Sequence, residues 1–154
     1  MNVSRSTLAG VTACLSLLAS GCALSERRDA ETVAATKAKT DLACLLPSNC
    51  VDSLGARGPE PLVYRGTPSD AMTTLQAALR TFPEASVVRS EPLSLETIFT
   101  TAVGFRDRVE FRIDAEAHRI DFRSQSLCGL FDFGKNRSRM QAFAARFNEL
   151  EKAR

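Results

Sequence analysis

The stretch RVEFRIDAEAHRIDFR, residues 108–123, decides the fold of this chain. Apolar residues alternate with charged ones on both sides of a polar turn near 115–118, which is the pattern of a β-hairpin with one buried face. Pairing Asp114 with Arg119 fixes the rest of the ladder. The inward pairs are then Ile113 with Ile120 and Phe111 with Phe122, and the outward pairs are Arg112 with Asp121 and Glu110 with Arg123. A slip of one residue would lose both sets, so the register is strongly specified.

Short strands are predicted on the N-terminal side of the hairpin, at 62–64, 86–89 and 95–103. On the last of these, alternate residues from Leu95 to Val103 are predicted to share one face. A helix follows the first strand, because Thr67 and Pro68 provide an N-cap and a first helical residue, and Pro83 stops the run. Its apolar stripe consists of Met72, Leu75, Leu79 and Phe82.

A second helix is predicted from about 136 to 152, where apolar residues recur at helical spacing. These residues are Met140, Phe143, Phe147 and Leu150. The order strand, helix, four strands, helix predicts an α+β domain. In this fold a curved antiparallel sheet of about five strands carries both helices on one face.

The N-terminus is typical of an export signal. Its apolar run at 7–18 is too short to span a bilayer of about 30 Å, and LLASGC at 17–22 resembles the lipobox of bacterial lipoproteins. We therefore expect a signal peptide at 1–21, acylation of Cys22, a flexible tether at 22–43 and one domain at 44–154. Cleavage as an ordinary secretory signal near Ala19 or Gly21 is the alternative.

The expected location is the bacterial cell envelope, with the lipid anchor in a membrane. Ala23, directly after the lipidated position, is similar to residues that let lipoproteins reach the periplasmic face of an outer membrane, because the retaining residue is typically Asp. A secreted or soluble periplasmic protein is the alternative. Both alternatives put the chain outside the cytoplasm, where disulfides persist.

Charge balance argues against nucleic acid as a partner. The chain has 20 basic and 18 acidic side chains, whereas general nucleic-acid binding needs a basic surface. Phosphate-loop, dinucleotide and metal-binding helix motifs are absent from the sequence, so neither a cofactor nor a metal is predicted.

The cysteines of the domain predict one disulfide. Cys44 and Cys50 enclose a loop of five residues, and in an oxidising envelope they are expected to pair. A metal site is the rival, but two cysteines without a nearby histidine fall short of the four ligands of structural zinc. Cys128 is left over, either as a small buried hydrophobe or as a competing thiol.

Three basic residues crowd the start of the last helix, where the helix dipole favours acids. An external anion, bound by backbone N–H groups and arginines, is one way to compensate them. Asp132 is the internal alternative, as a cap or as the partner of Arg137, with Gly134 as the turn, and internal pairing is the more common arrangement. The candidate ligand-binding residues are Arg123, Asp132, Asn136, Arg137 and Arg139.

Residues 44–150 resemble the bacterial family named domain of unknown function 1499. The matching pieces are Ser48-Asn49-Cys50-Val51, Val109-Glu110-Phe111, Arg123-Ser124-x-Ser126 and Gly129-x-x-Asp132-x-Gly134-x-Asn136-Arg137-x-Arg139. Leu127, Cys128 and Phe131 depart from the family pattern and make the loop before the last helix more apolar. The resemblance implies a domain type without naming an activity.

Catalytic groups are sparse. His118 is the single histidine, and it falls in the hairpin turn without an evident orienting partner. We therefore expect a non-enzymatic envelope lipoprotein that binds an anionic envelope ligand or a protein partner, besides the membrane that holds its anchor. The alternative function is a hydrolase or transferase acting on envelope material, with Glu110, Asp132 and the arginines as its acid-base and anion-binding group.

Overall fold

The computed structural model describes residues 42–55 and 58–154. The predicted signal peptide, Cys22 and the tether up to residue 41 lie outside the described residues. Leu42 is buried, so the packed part includes a residue before the predicted domain boundary at 44. In chain order the elements are β1 (Cys50–Asp52), β2 (Leu62–Val63), α1 (Pro68–Leu79), β3 (Ala85–Glu91), β4 (Ser94–Thr100), β5 (Arg106–Asp114), β6 (Arg119–Ser126) and α2 (Lys135–Ala153).

Six antiparallel strands form one open sheet with the order β1-β6-β5-β4-β3. β2 pairs with the beginning of β6, and β1 pairs with its later part. Between them, the Ser53 hydroxyl accepts a hydrogen bond from the backbone N–H of Phe122 at 2.9 Å. The predicted α+β fold is confirmed, with one strand more than expected, because β1 is too short to carry an alternating pattern.

The hairpin has the predicted register. Asp114 lies opposite Arg119, Phe111 opposite Phe122 and Glu110 opposite Arg123. The inner row is buried, so the hairpin forms the middle of the core face. β4 ends at Thr100 rather than at Val103, because residues 101–105 turn back into β5.

Helix α1 begins as its capping residues predict. The Thr67 hydroxyl accepts a hydrogen bond from the backbone N–H of Asp70, and the Asp70 carboxylate accepts one from the backbone N–H of Thr67. The hydrogen bonds that the Asp70 carboxylate accepts from the backbone N–H and from the hydroxyl of Thr67 lower the pKa of Asp70, and Arg154 lowers it further. The helix ends at Leu79, so Phe82 lies beyond it and packs its ring near Phe99.

The core lies between the inner face of the sheet and both helices. The sheet contributes Val51, Leu62, Leu95, Phe99, Val109, Phe111, Ile113, Ile120 and Phe122, and the helices contribute Ala71, Leu75, Ala78, Leu79, Met140, Phe143 and Phe147. This packing sets α2 across the sheet and brings its first turn to the end of β6. Across the described residues, no helix is both long and apolar enough to cross a membrane.

A disulfide joins Cys44 to Cys50, as predicted, with 5.7 Å between the two Cα atoms. It closes the loop that leads into β1. The third cysteine of the domain, Cys128, is exposed and is not part of a disulfide.

Replacing both Cys44 and Cys50 by serine should lower the free energy of unfolding by about 2 kcal/mol, because the unfolded chain regains the entropy of a short loop. Denaturant unfolding of the full chain under oxidising conditions measures this change. Cys128→Ser is the control and should leave the unfolding midpoint within error. An unchanged midpoint for the double variant would mean that the disulfide does not constrain the chain.

Candidate functional site

A buried polar network joins the start of α2 to the inner face of the sheet. The guanidinium of Arg139 pairs with the Asp107 carboxylate and donates a hydrogen bond to Asn136 Oδ1 at 2.9 Å. It also lies 4.9 Å from the ring centroid of Phe99. The Ser124 hydroxyl donates to the same oxygen of Asn136 at 2.6 Å. All of these side chains are buried. Their charged and polar groups therefore depend on one another for ion pairing and hydrogen bonding.

The same network holds the N-terminal segment of the domain. The Asn136 amide donates to the backbone oxygen of Asn49 at 3.1 Å, and the Asn49 amide donates to the backbone oxygen of Gly129 at 2.7 Å. The backbone N–H of Ser126 donates to that Asn49 oxygen as well. Asn136 thus links α2, β6 and the segment before β1, which is an architectural role.

Asp132 caps α2. Its carboxylate accepts hydrogen bonds from the backbone N–H groups of Gly134 at 3.0 Å and Asn136 at 2.8 Å. These are N–H groups that an external anion at the helix start would use. A carboxylate also offsets the basic residues of the first turn, because it complements the helix dipole.

Arg123 lies on the other face of the sheet, apart from the start of α2. Its Nε donates to Glu110 Oε2 at 2.9 Å, and both side chains are partly exposed. Successive residues of a strand point to opposite faces, so Ser124 joins the buried network and Arg123 does not. Glu110 shares this outer position, away from Asp132.

The five candidate residues therefore occupy four different environments. Asn136 and Arg139 are buried, Asp132 caps the helix, and Arg123 is paired on the outer face. Arg137 is exposed and lines a cleft of about 270 Å³ together with Phe131 and Phe133.

A pocket of about 280 Å³ lies between the β4–β5 turn and the loop before α2. Its walls include Phe105, Phe131 and Phe133, which we call the aromatic cluster. Their exposed fractions are 61%, 67% and 99% respectively. Asp107 and Ser126 also line the pocket, and the Ser126 hydroxyl donates to Asp107.

Sequence reasoning missed this cluster, although two signals were present. Leu127, Cys128 and Phe131 depart from the family pattern and make the loop before α2 more apolar. Phe105 had a signal of its own, because the predicted hairpin register, continued to Asp107 and Ser126, brings it beside this loop. Within the described ranges, no group of three His, Cys, Asp or Glu side chains is arranged to hold a metal ion.

Comparison with known families matches residues 42–147 to a family described as protein of unknown function (DUF1499). The match covers more than half of the 154 residues. The chain belongs to the DUF1499 family. None of the curated proteins matches it at a significant level. The DUF1499 region contains the disulfide loop, the buried network and the aromatic cluster, so all three lie within the family domain.

Proposed function

We propose that this DUF1499 protein is a lipid-anchored protein of the bacterial cell envelope, and that its domain is a binding module. The proposed binding site is the aromatic pocket, which takes an apolar group of an envelope ligand or partner. The observation that carries this proposal is the pocket itself, because three exposed phenylalanines line one concave space. Ligand sites in proteins are concave and lined mostly by apolar and aromatic side chains, with few polar groups.

Binding is favoured over acid-base catalysis because the two carboxylates beside the pocket already have partners. Asp107 is paired with Arg139 and accepts from Ser126, and Asp132 accepts from two backbone N–H groups of α2. A general acid or base must instead reach a substrate proton. His118 lies at the other end of β6, near the ring of Tyr64.

The alternative hydrolase or transferase needs Glu110 and Asp132 in one site. Glu110 is engaged by Arg123 on the outer face of the sheet, whereas Asp132 lies at the start of α2. The acid-base group of that alternative is therefore not assembled, which weakens it.

The anchor part of the proposal is supported by the lipobox-like LLASGC at 17–22. A coil of about twenty residues between Cys22 and the domain would reach about 25 Å. The pocket would then stay within reach of the membrane surface and of other envelope components.

Fatty-acid labelling in a bacterial host tests the anchor. The wild-type chain should incorporate an alkyne-tagged fatty acid and fractionate with envelope membranes, and Cys22→Ser should abolish the label. Absence of label on the wild type would overturn the anchor, and recovery of the wild type from the cytosol would overturn the envelope location.

Site-specific photocrosslinking tests the binding module. A photoreactive phenylalanine analogue at position 131 should form adducts in living cells, because that side chain lies in the pocket wall. The same analogue at Val63, which is 68% exposed and pairs with the other end of β6, is the matched control. Equal adduct yields at both positions, or none at either, would refute the pocket as a binding site.

A further inference from the structure

Phe133 has an unfavourable backbone and no packing within the described domain that would offset it. Its φ is 53°, which is a left-handed conformation. This conformation is uncommon for bulky residues because it brings the Cβ atom close to the backbone. Its side chain is almost fully exposed. Glycine or asparagine would adopt this conformation more easily, so the packing of the domain does not account for a phenylalanine at this position.

Further apolar side chains are exposed at the same end of the sheet. Exposed large hydrophobic residues of the β4–β5 turn and of the loop before α2 are Val103, Phe105, Leu127, Leu130, Phe131 and Phe133. The backbone N–H of Leu127 bonds to the oxygen of Arg106, which ties the two segments together. Contiguous exposed apolar surface of this kind marks a site of interaction with a protein or a membrane.

The apolar end has a basic rim. Arg106, Lys135 and Arg137 are exposed around it, and Lys135 lines the aromatic pocket. The two carboxylates nearby are engaged: Asp107 is neutralised by Arg139, and Asp132 caps α2. Aromatic side chains surrounded by cationic ones fit an anionic lipid surface.

The segment before β1 braces the same loop. The Ser48 hydroxyl donates to the backbone oxygen of Leu130 at 2.6 Å, and the backbone N–H of Asp132 donates to the oxygen of Ser48 at 3.1 Å. Further towards the N-terminus the chain leaves the loop, because the Ala43 oxygen accepts a hydrogen bond from Arg123 Nη1 at 3.5 Å. The Ser48 contacts therefore hold the loop before α2 in the position that exposes its apolar side chains.

We infer that the aromatic cluster inserts into the anionic phospholipid surface of the membrane that holds the anchor, so that the domain docks with this end down. The inference rests on the proposed lipid anchor and names the occupant of the proposed binding surface. A short tether keeps the domain at a local concentration in the millimolar range relative to the surface. Weak insertion of two or three aromatic rings is then enough to keep the domain docked.

Tryptophan reporters test the docking, since the chain contains no tryptophan. The full-length chain, extracted from host envelopes, is reconstituted into vesicles of phosphatidylethanolamine and phosphatidylglycerol whose acyl chains carry bromine. We expect the F133W reporter to lose at least half of its fluorescence to the bromine atoms. The V63W reporter, at the opposite end of β6, should lose little of its fluorescence. Both variants are anchored to the same vesicles, but only the aromatic end of the domain is inserted.

Four outcomes would overturn the docking. Vesicles that float with the protein while neither reporter is quenched would leave the anchor intact and refute insertion. Equal quenching of both reporters would refute the orientation. Protein adducts of a photoreactive analogue at position 133 in living cells, together with no quenching of F133W by the brominated vesicles, would identify a protein partner as the occupant. A blue shift of F133W that grows with protein concentration without vesicles would identify a second copy of the chain.

If the protein does not float with the vesicles, the anchor is refuted. Docking is then tested by titrating the protein with brominated vesicles to millimolar lipid, because quenching of F133W still reports insertion. In that titration, Lys135→Ser should weaken binding about fivefold on vesicles with phosphatidylglycerol and leave it unchanged on neutral vesicles. Phe133→Gly should weaken binding about tenfold while the melting temperature stays the same or rises. If Phe133→Gly lowers the melting temperature as well as the binding, Phe133 contributes to folding, and its role at the membrane is refuted.

Discussion

Replacing Arg139 by methionine is expected to lower the free energy of unfolding by about 3–5 kcal/mol. Arg139 and Asp107 are both almost fully buried, so the substitution leaves a carboxylate in the interior without its counter-charge. It also removes the hydrogen bond to Asn136 and the contact with the Phe99 ring. Urea unfolding of the full chain, followed by circular dichroism, measures the loss.

A double variant separates the charge from the packing. Asp107→Leu combined with Arg139→Met removes both charges, and most of the lost stability should return, because apolar residues of similar volume often replace a buried ion pair at little cost. Arg137→Met, two residues away on the exposed side of the helix, should change stability by less than about 0.5 kcal/mol. A loss below about 1 kcal/mol for Arg139→Met would show that the pair is hydrated and not buried.

Phe143→Ala should cost about 3–5 kcal/mol, because it opens a cavity in the middle of the core. The Phe143 ring centroid lies 5.0 Å from that of Phe111 and 5.8 Å from that of Phe82. The matched substitution Phe133→Ala removes the same atoms from an exposed position, and should change the free energy of unfolding by less than about 0.5 kcal/mol.

The pair of alanine variants distinguishes two uses of phenylalanine in one short segment of chain. Thermal unfolding of both variants under the same buffer conditions is sufficient. A large loss for Phe133→Ala would mean that its ring packs against the domain, contrary to its exposure. A small loss for Phe143→Ala would mean that the core around α2 collapses to fill the space.

The fold was predictable from sequence wherever local patterns and packing agree. The hairpin combines alternation with a polar turn, so its register followed from the requirement that Phe111 and Phe122 share a buried face. Thr67 and Asp70 form a capping box that marks the start of α1. β1 was not predictable, because three residues contain too little of an alternating pattern, and only pairing with β6 makes Cys50–Asp52 a strand.

The candidate site was predictable only in part. Arg123 had already been assigned to the outer face by the hairpin register, which is incompatible with a site shared with Asn136 on the inner side. Basic residues at the start of α2 indicated a nearby anion, and the structure provides the Asp132 carboxylate. The aromatic cluster joins Phe105, before β5, to Phe131, after β6; the hairpin register predicts that these segments are neighbours, whereas the exposure of the two rings could be seen only in the structure.

The pairing of β1 with β6 governs the order in which the domain can fold. Asn49 bonds to Gly129, 80 residues further along the chain, and contacts so distant in sequence form slowly, because a long loop must close first. A chain made from its N-terminus onward therefore waits for its final third before the first strand finds a neighbour. Until then the early segment stays open to proteases and chaperones, and a chain that ends before β6 leaves the first strand without its neighbour in the sheet.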